Sequence, residues 1–279
     1  MQIEFCNGND KDYQRKLNHL LKDVFFDFAF WYDLDLWDEN YESYSIMKKD
    51  AIISNICVYK TQVMFKGQRH LALSLGAAAT KDTCRGQGLS RALMEHIMAK
   101  YDRVPMYLFA NDEVLGFYPK FGFERVYEKQ PVAYCAINNH IQPTRLRYDD
   151  PKIWHYIYDR INFSQQLDCL NTACINIFHI HLGYLKECLY EIPTLNTLVI
   201  ARQEGTILKL NGVFSLDDIS FSDFVLHLPF SNVEQIEFGF MPPWSDLEVV
   251  MEKGDGAPCF VRGLTCSLDD FKFPELSMT

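Results

Sequence analysis

Residues 84–90 read CRGQGLS, and the stretch that follows, LSRALMEHIMAKY, has the apolar spacing of a helix. Two glycines at the mouth of a helix, behind an arginine, restrict what such a chain can build. Glycine lets backbone N–H groups approach a ligand because no Cβ stands in the way. The first turn of a helix carries N–H groups without partners, and its dipole end is positive. Together these make an anion site, for which phosphate is the usual guest, and Arg85 adds a cation. A tight turn with glycine used for packing explains the pair equally well, so the pair alone does not decide. A dinucleotide fold needs GxGxxG after a strand, and GQGLSR lacks the third glycine. The P-loop pattern GxxxxGK[ST] is absent.

The flanking periodicities set the loop in an α/β frame. Residues 11–31 have Leu17, Leu20, Leu21, Val24, Phe25 and Phe28 at helical spacing. AIISNICVYKTQVMF and HLALSLGAAA predict two strands joined by a hairpin at KGQR. VPMYLFA (104–110) predicts a short strand, DEVLGFYPKFG (112–122) a short helix closed by Gly122, and FERVYEKQPVAYCAI a return to strand. Further on, RYDDPKIWHYIYDRI predicts an amphipathic helix and TLVIARQEGTILKLNGVFS (197–215) a hairpin. LDDISFSDFVLHLP predicts a helix capped by Ser215 or Asp217, and VEQIEFGFMP and PCFVRG predict strands. The boundary is placed in NNHIQPTRLRYDDP, giving domains 1–140 and 141–279.

Composition narrows the function class. The 279 residues suffice for one large or two modest domains, and 48% are apolar, enough for a core. The formal charge of −10 argues against a nucleic-acid partner and suits a cationic one. No run approaches the ~18 apolar residues of a membrane span, and the N-terminus lacks the pattern of a secretory signal. The expectation is a cytoplasmic protein, monomer or homo-oligomer, with no membrane partner. Nine cysteines without a CxxC pair suggest reduced thiols and no zinc site. His179 and His181, in HIH, have no third ligand at a metal spacing and read as structural; no metal is expected. Cys84 reads as a small packed side chain. The segment DFAFWYDLDLWDENYESY (27–44) is both aromatic and acidic. Its aromatics and carboxylates suit an ammonium group by cation–π and charge attraction, with Trp31, Asp33 and Asp35 as contacts and Asp33, Asp35 and Asp38 as candidate general bases, or form a solvated loop whose aromatics plug the core.

AATKDTCRGQGLSRALM resembles the coenzyme A-binding motif of the GNAT superfamily of N-acetyltransferases, whose core is (Q/R)xxGx(G/A). Arg85 fills the first position and Gly88 the fourth, with Ser90 where glycine or alanine is usual. NDEVLGFYPKFGFE resembles the family's next motif, N…FYxxxGF, with Asn111 seven positions before Tyr118 and Gly122–Phe123 completing it. The run before the first motif is similar to that of the enhanced-intracellular-survival type. The resemblance is strong over 51–127. It implies a GNAT fold, a mixed, splayed β-sheet flanked by helices, in the α/β (α+β) class.

The resemblance also implies roles. Acetyl-CoA is the cosubstrate. Arg85, Gly86, Gln87, Gly88, Leu89 and Ser90 hold its pyrophosphate, the Ser90 hydroxyl adding a contact. Ala77, Ala78 and Ala79 offer backbone groups to the pantetheine arm where two strands part, and a backbone N–H near Ala79 stabilises the thioester oxygen. Asn111 belongs to the same binding set, and Tyr118 is the general acid toward the leaving thiolate. Pro119 departs from the pattern and bends the chain at Tyr118. The acceptor is an amine of a small molecule or peptide, met by Trp31, Asp33 and Asp35. In some long relatives the C-terminal carboxylate reaches the active site, which would place Thr279 there. Residues 141–279 lack a glycine-rich helix entry. They are either a degenerate second GNAT-like half without a coenzyme A motif or a small unrelated α+β domain. Two functions stay open: an acetyl-CoA-dependent N-acetyltransferase, or a coenzyme A-binding regulatory protein without turnover.

Overall fold

The computed structural model describes residues 2–8, 10–161, 164–264 and 270–279. Strand β1 (Ile3–Cys6) leads into helix α1 (Lys11–Val24), whose start is set by the Asp10 carboxylate accepting the N–H groups of Asp12 and Tyr13. Tyr13, Leu17, Leu20 and Leu21 form its buried face. The helix expected over 11–31 stops at Val24. A loop follows, tied by Asn18 Oδ1 to the Phe28 N–H and by Asp27 Oδ1 to the Ala29 N–H, and then the short helix α2 (Ala29–Asp33). Side chains that bond backbone locally compete with the helix ladder, which is why it breaks there.

Strands β2 (Tyr41–Lys48), β3 (Ala51–Phe65) and β4 (Gln68–Thr80) form an antiparallel meander. Both turns place two residues at positive φ, Lys49–Asp50 and Lys66–Gly67, the handedness that matches strand twist. Helix α3 (Leu89–Lys100) then crosses to β5 (Met106–Phe109), which runs parallel to β4. The return strand read over 123–137 is two strands in different sheets, β6 (Glu124–Val126) and β7 (Lys129–Ile137). The chain continues through β8 (Thr144–Arg145), α4 (Lys152–Asp159), β9 (Leu167–Cys169), α5 (Ala173–Ile180), β10 (Leu189–Ile192), β11 (Thr197–Glu204) and β12 (Ile207–Ser215). It ends with α6 (Phe221–His227), β13 (Val233–Phe238), β14 (Val250–Lys253) and β15 (Cys259–Arg262). Helix α6 is shorter than expected and is capped by Ser220, not Ser215 or Asp217. Those two bond each other in a turn, Ser215 Oγ with the N–H and C=O of Asp217.

Two mixed sheets result, ordered β1-β2-β3-β4-β5-β15-β6, with β9 also on β3, and β14-β7-β13-β12-β11-β10-β8. The second repeats the plan of the first. The hairpin β11–β12, the crossing helix α6 and the parallel strand β13 correspond to β3–β4, α3 and β5. The fold is a two-half GNAT arrangement in the α/β class. Strands cross residue 140 in both directions, β9 and β15 into the first sheet and β7 into the second. β15 enters the first between β5 and β6, and β7 enters the second beside β13. No helix among the described residues is long and apolar enough to cross a membrane.

Candidate active site

The site forms where β4 leaves β5. Their pairing runs from Leu73↔Met106 to Leu75↔Leu108 and ends. β4 continues to Thr80, while the chain after β5 turns to the last half, with the Ala110 N–H bonding the Pro258 carbonyl. The result is a V-shaped cleft beginning at Gly76. At the same point β4 carries a bulge. Cys57 pairs with Gly76 and Asn55 with Ala79, so Ala77 and Ala78 together oppose Ile56. Ala77 is held at φ +46°, Ala78 is exposed and Ala79 is buried.

The glycine loop closes the cleft's wide end. Gly86 and Gly88 both have φ +76°, and a Cβ at either would touch nothing. They are needed for backbone handedness, and the space outside them is open. Gly88 is the N-cap of α3 and provides no side-chain cap, so the first-turn N–H groups are left for a ligand. Leu89 is buried and anchors the turn. The Ser90 hydroxyl is 2.8 Å from Thr80 Oγ1, which lies 2.7 Å from Ser54 Oγ. The Ser90 hydroxyl therefore ties α3 to β4. Arg85 and Gln87 are exposed; Arg85 faces Asp82 at 2.9 Å, a surface pair that a multiply charged ligand can displace. Cys84 is packed in the core.

Tyr118 opens a 3₁₀ turn, Tyr118–Phe121, in place of the single helix expected over 112–122; another such turn covers Asp112–Val114. Pro119 supplies no N–H and Gly122, at φ +77°, ends the turn. The Tyr118 ring packs on Phe117, Phe123 and Phe260, on the α3 face of the sheet. Among the described residues its hydroxyl has no hydrogen-bond partner, and burial pushes its pKa up from 10.0. Asn111 is exposed just beyond β5.

The aromatic and acidic segment divides. Trp31 is buried against Tyr41 and Phe178. Asp33 and Asp35 are exposed, Asp35 at φ +54°. Asp38 turns inward and accepts the Tyr59 hydroxyl at 2.6 Å. Trp31 belongs to the core cluster that reaches Ala77 and Ala79, whereas the two outer carboxylates face solvent. The three residues thus do not share one surface.

One feature escaped the sequence reading. Tyr13, Ser43, Ser45 and Asn55 form a buried polar chain ending at the Ala77 carbonyl. Its traces were Ser43 and Ser45, two apart on one strand face, and a lone asparagine in an apolar run. The segment 275–279, whose Thr279 the resemblance placed near the site, is laid along the sheet face opposite α3. A Cβ on Gly76 would lie 2.7 Å from the Thr279 carbonyl carbon, and one on Gly212 would lie 2.7 Å from Leu276 Cδ1. Thr279 Oγ1 is 2.5 Å from Ser74 Oγ. Thr279 thus lies beside the bulge. Asn176 and His179, one turn apart on α5, donate to the carbonyls of Leu276 (2.6 Å) and Met278 (2.8 Å).

Burial lowers the pKa of His179 below 6.5, so protonation is easier in the unfolded chain. Stability from this group is complete above about pH 6.5 and declines as pH falls through the folded value, by up to about tenfold in the folding constant per pH unit. Urea titrations from pH 7.5 to 5 should show this decline, and His179→Gln should flatten it. An equal acid slope in both proteins would refute the assignment.

Residues 10–126 match the model of the acetyltransferase (GNAT) domain. A search of curated proteins finds no match. Among solved structures the fold is similar to a probable N-acyltransferase from Enterococcus faecalis, at TM-score 0.60 and 14% identity, covering 94% of this chain and 72% of that one. It is likewise similar to Eis1 from Mycobacterium abscessus, at TM-score 0.59 and 14% identity over 94% and 73%. A GCN5-related N-acetyltransferase from Anabaena variabilis follows, at 0.55 and 14% over 94% and 72%. At these identities the likeness is one of fold, and it spans both halves.

Proposed function

We propose that this chain, whose residues 10–126 match an acetyltransferase (GNAT) domain, moves the acetyl group of acetyl-CoA directly to a primary amine of a small molecule or peptide. The observation that carries the reading is the coincidence of three features. β4 parts from β5, its bulge exposes backbone at the parting, and the uncapped start of α3 stands at the open end. The neutral amine nitrogen forms its bond to the thioester carbon, the carbon–sulfur bond breaks with the electron pair leaving on sulfur, and the proton lost by nitrogen passes to solvent, from which Tyr118 is reprotonated. The α3 first turn and Arg85 hold the pyrophosphate, with Asn111 beyond β5 in the same binding set. The Ala77–Ala79 backbone aligns the pantetheine arm and supplies a donor to the thioester oxygen. Tyr118 gives its proton to the departing sulfur. Asp33 and Asp35 draw a cationic acceptor toward the site by charge. The eight described cysteines are free thiols, which suits a cytoplasmic setting.

Calorimetric titration with acetyl-CoA tests the reading. Gly88→Trp puts a bulky side chain into the open space at a φ that favours glycine, and it should weaken binding at least about a hundredfold while wild type binds. An amine panel monitored for thiol release then separates transfer from mere coenzyme binding. No binding by wild type, or binding without thiol release from any amine, would sink the transferase reading.

A further inference from the structure

Asn55 is fully buried in β3, yet its side-chain amide is fully used. Oδ1 accepts the hydroxyls of Ser43 (2.7 Å) and Ser45 (2.8 Å), and Nδ2 reaches Cys57 Sγ and the Ala77 carbonyl, each at 3.1 Å. Tyr13 of α1 backs both serines, at 2.9 and 2.7 Å. A buried amide is costly unless satisfied, and a fully satisfied one holds its surroundings in one arrangement. What this one holds is the carbonyl at the bulge, where the β3–β4 ladder is out of step. An alanine at φ +46° persists only where its surroundings over-determine it.

The direction of that bond matters more than its presence. Peptide units are planar, and none of those described is cis, so the C=O and N–H of one unit point opposite ways. With the Ala77 carbonyl drawn to the Asn55 side chain, the Ala78 N–H points away from that side chain. Ala78 itself is exposed, beyond the point where β5 leaves β4. The geometry points to Asn55 as a positioning residue that sets the Ala78 N–H toward the thioester oxygen. This rests on the transferase reading and refines it from a donor near Ala79 to one peptide unit and the side chain that orients it. The chain Tyr13–Ser43/Ser45–Asn55 then ties α1, on one face of the sheet, to the donor in the cleft.

Asn55→Leu keeps the volume and removes the amide. It should lower kcat about 10–100-fold while the acetyl-CoA dissociation constant stays within about threefold. Ser45→Ala, which leaves Oδ1 with Ser43 alone, is the milder variant should Asn55→Leu fail to fold, with kcat lowered about three- to tenfold. A readout independent of turnover is hydrogen exchange at the Ala78 amide. Saturating acetyl-CoA should slow it at least about tenfold in wild type and much less in either variant. A folded Asn55→Leu protein with wild-type kcat overturns the proposal, as does an Ala78 amide that acetyl-CoA does not protect. If wild type releases no thiol but the Ala78 protection appears and depends on Asn55, the transferase reading falls and the role of Asn55 stands.

Discussion

Replacing Tyr118 by phenylalanine is expected to lower kcat about 10²–10³-fold, with acetyl-CoA affinity unchanged. The ring fills the same space among Phe117, Phe123 and Phe260. Because no described residue bonds the hydroxyl, its removal orphans nothing, and thermal stability should hold. The loss would therefore belong to the chemical step. The pH profile offers a second check. Burial raises the Tyr118 pKa above 10.0, so the acid form persists through the neutral and alkaline range. This group should contribute no alkaline limb to kcat below pH 10. A Tyr118→Phe enzyme within about twofold of wild type would remove Tyr118 from the mechanism.

The largest stability effect is expected at Arg160. Its guanidinium forks onto both oxygens of Asp168 at 2.8 and 3.0 Å and also donates to the Cys169 carbonyl, with side-chain exposures of only 10% and 8%. Asp168 lies on β9, which pairs with β3 of the first sheet, whereas Arg160 follows α4, which packs on β11 and β12 of the second. The pair therefore stitches the halves together. Arg160→Leu leaves a buried carboxylate without its countercharge and should cost about 3–5 kcal/mol. Asp168→Leu added to it should recover much of that, because replacing both charges by apolar groups removes the desolvation penalty as well. Urea unfolding of the two variants measures both numbers. A single-variant cost below about 1 kcal/mol would mean that the pair is effectively solvated.

The acetyl-transfer reading depends on features that differ in how local they are. The glycine loop was legible in the sequence because its requirement is local. Left-handed backbone at two positions, followed by a helix start, is written in Gly86 and Gly88 whatever surrounds them. The β3–β4 hairpin and the course of α3 were legible for the same reason, since turn chemistry and periodicity act over a few residues. Where side chains had partners distant in sequence, local reading failed. The bond of Ser90 to Thr80, ten residues earlier, had no signal in the motif. Ser215 and Asp217 satisfied the rule for a cap, yet bonding between them left that role to Ser220.

What the sequence by itself determined is the set of elements around the cofactor cleft, because the propensities and turns that make them act within a few residues. Tertiary structure alone decided the rest. It sent β7 and β15 into each other's sheets, buried Trp31 while Asp33 and Asp35 stayed exposed, and bonded the bulge to Asn55. Strand exchange depends on which unpaired edges the assembled core leaves open, and a buried amide depends on partners on other strands and helices. Neither leaves a periodic trace, since the residues concerned lie tens to hundreds of positions apart and meet only when the sheets have formed.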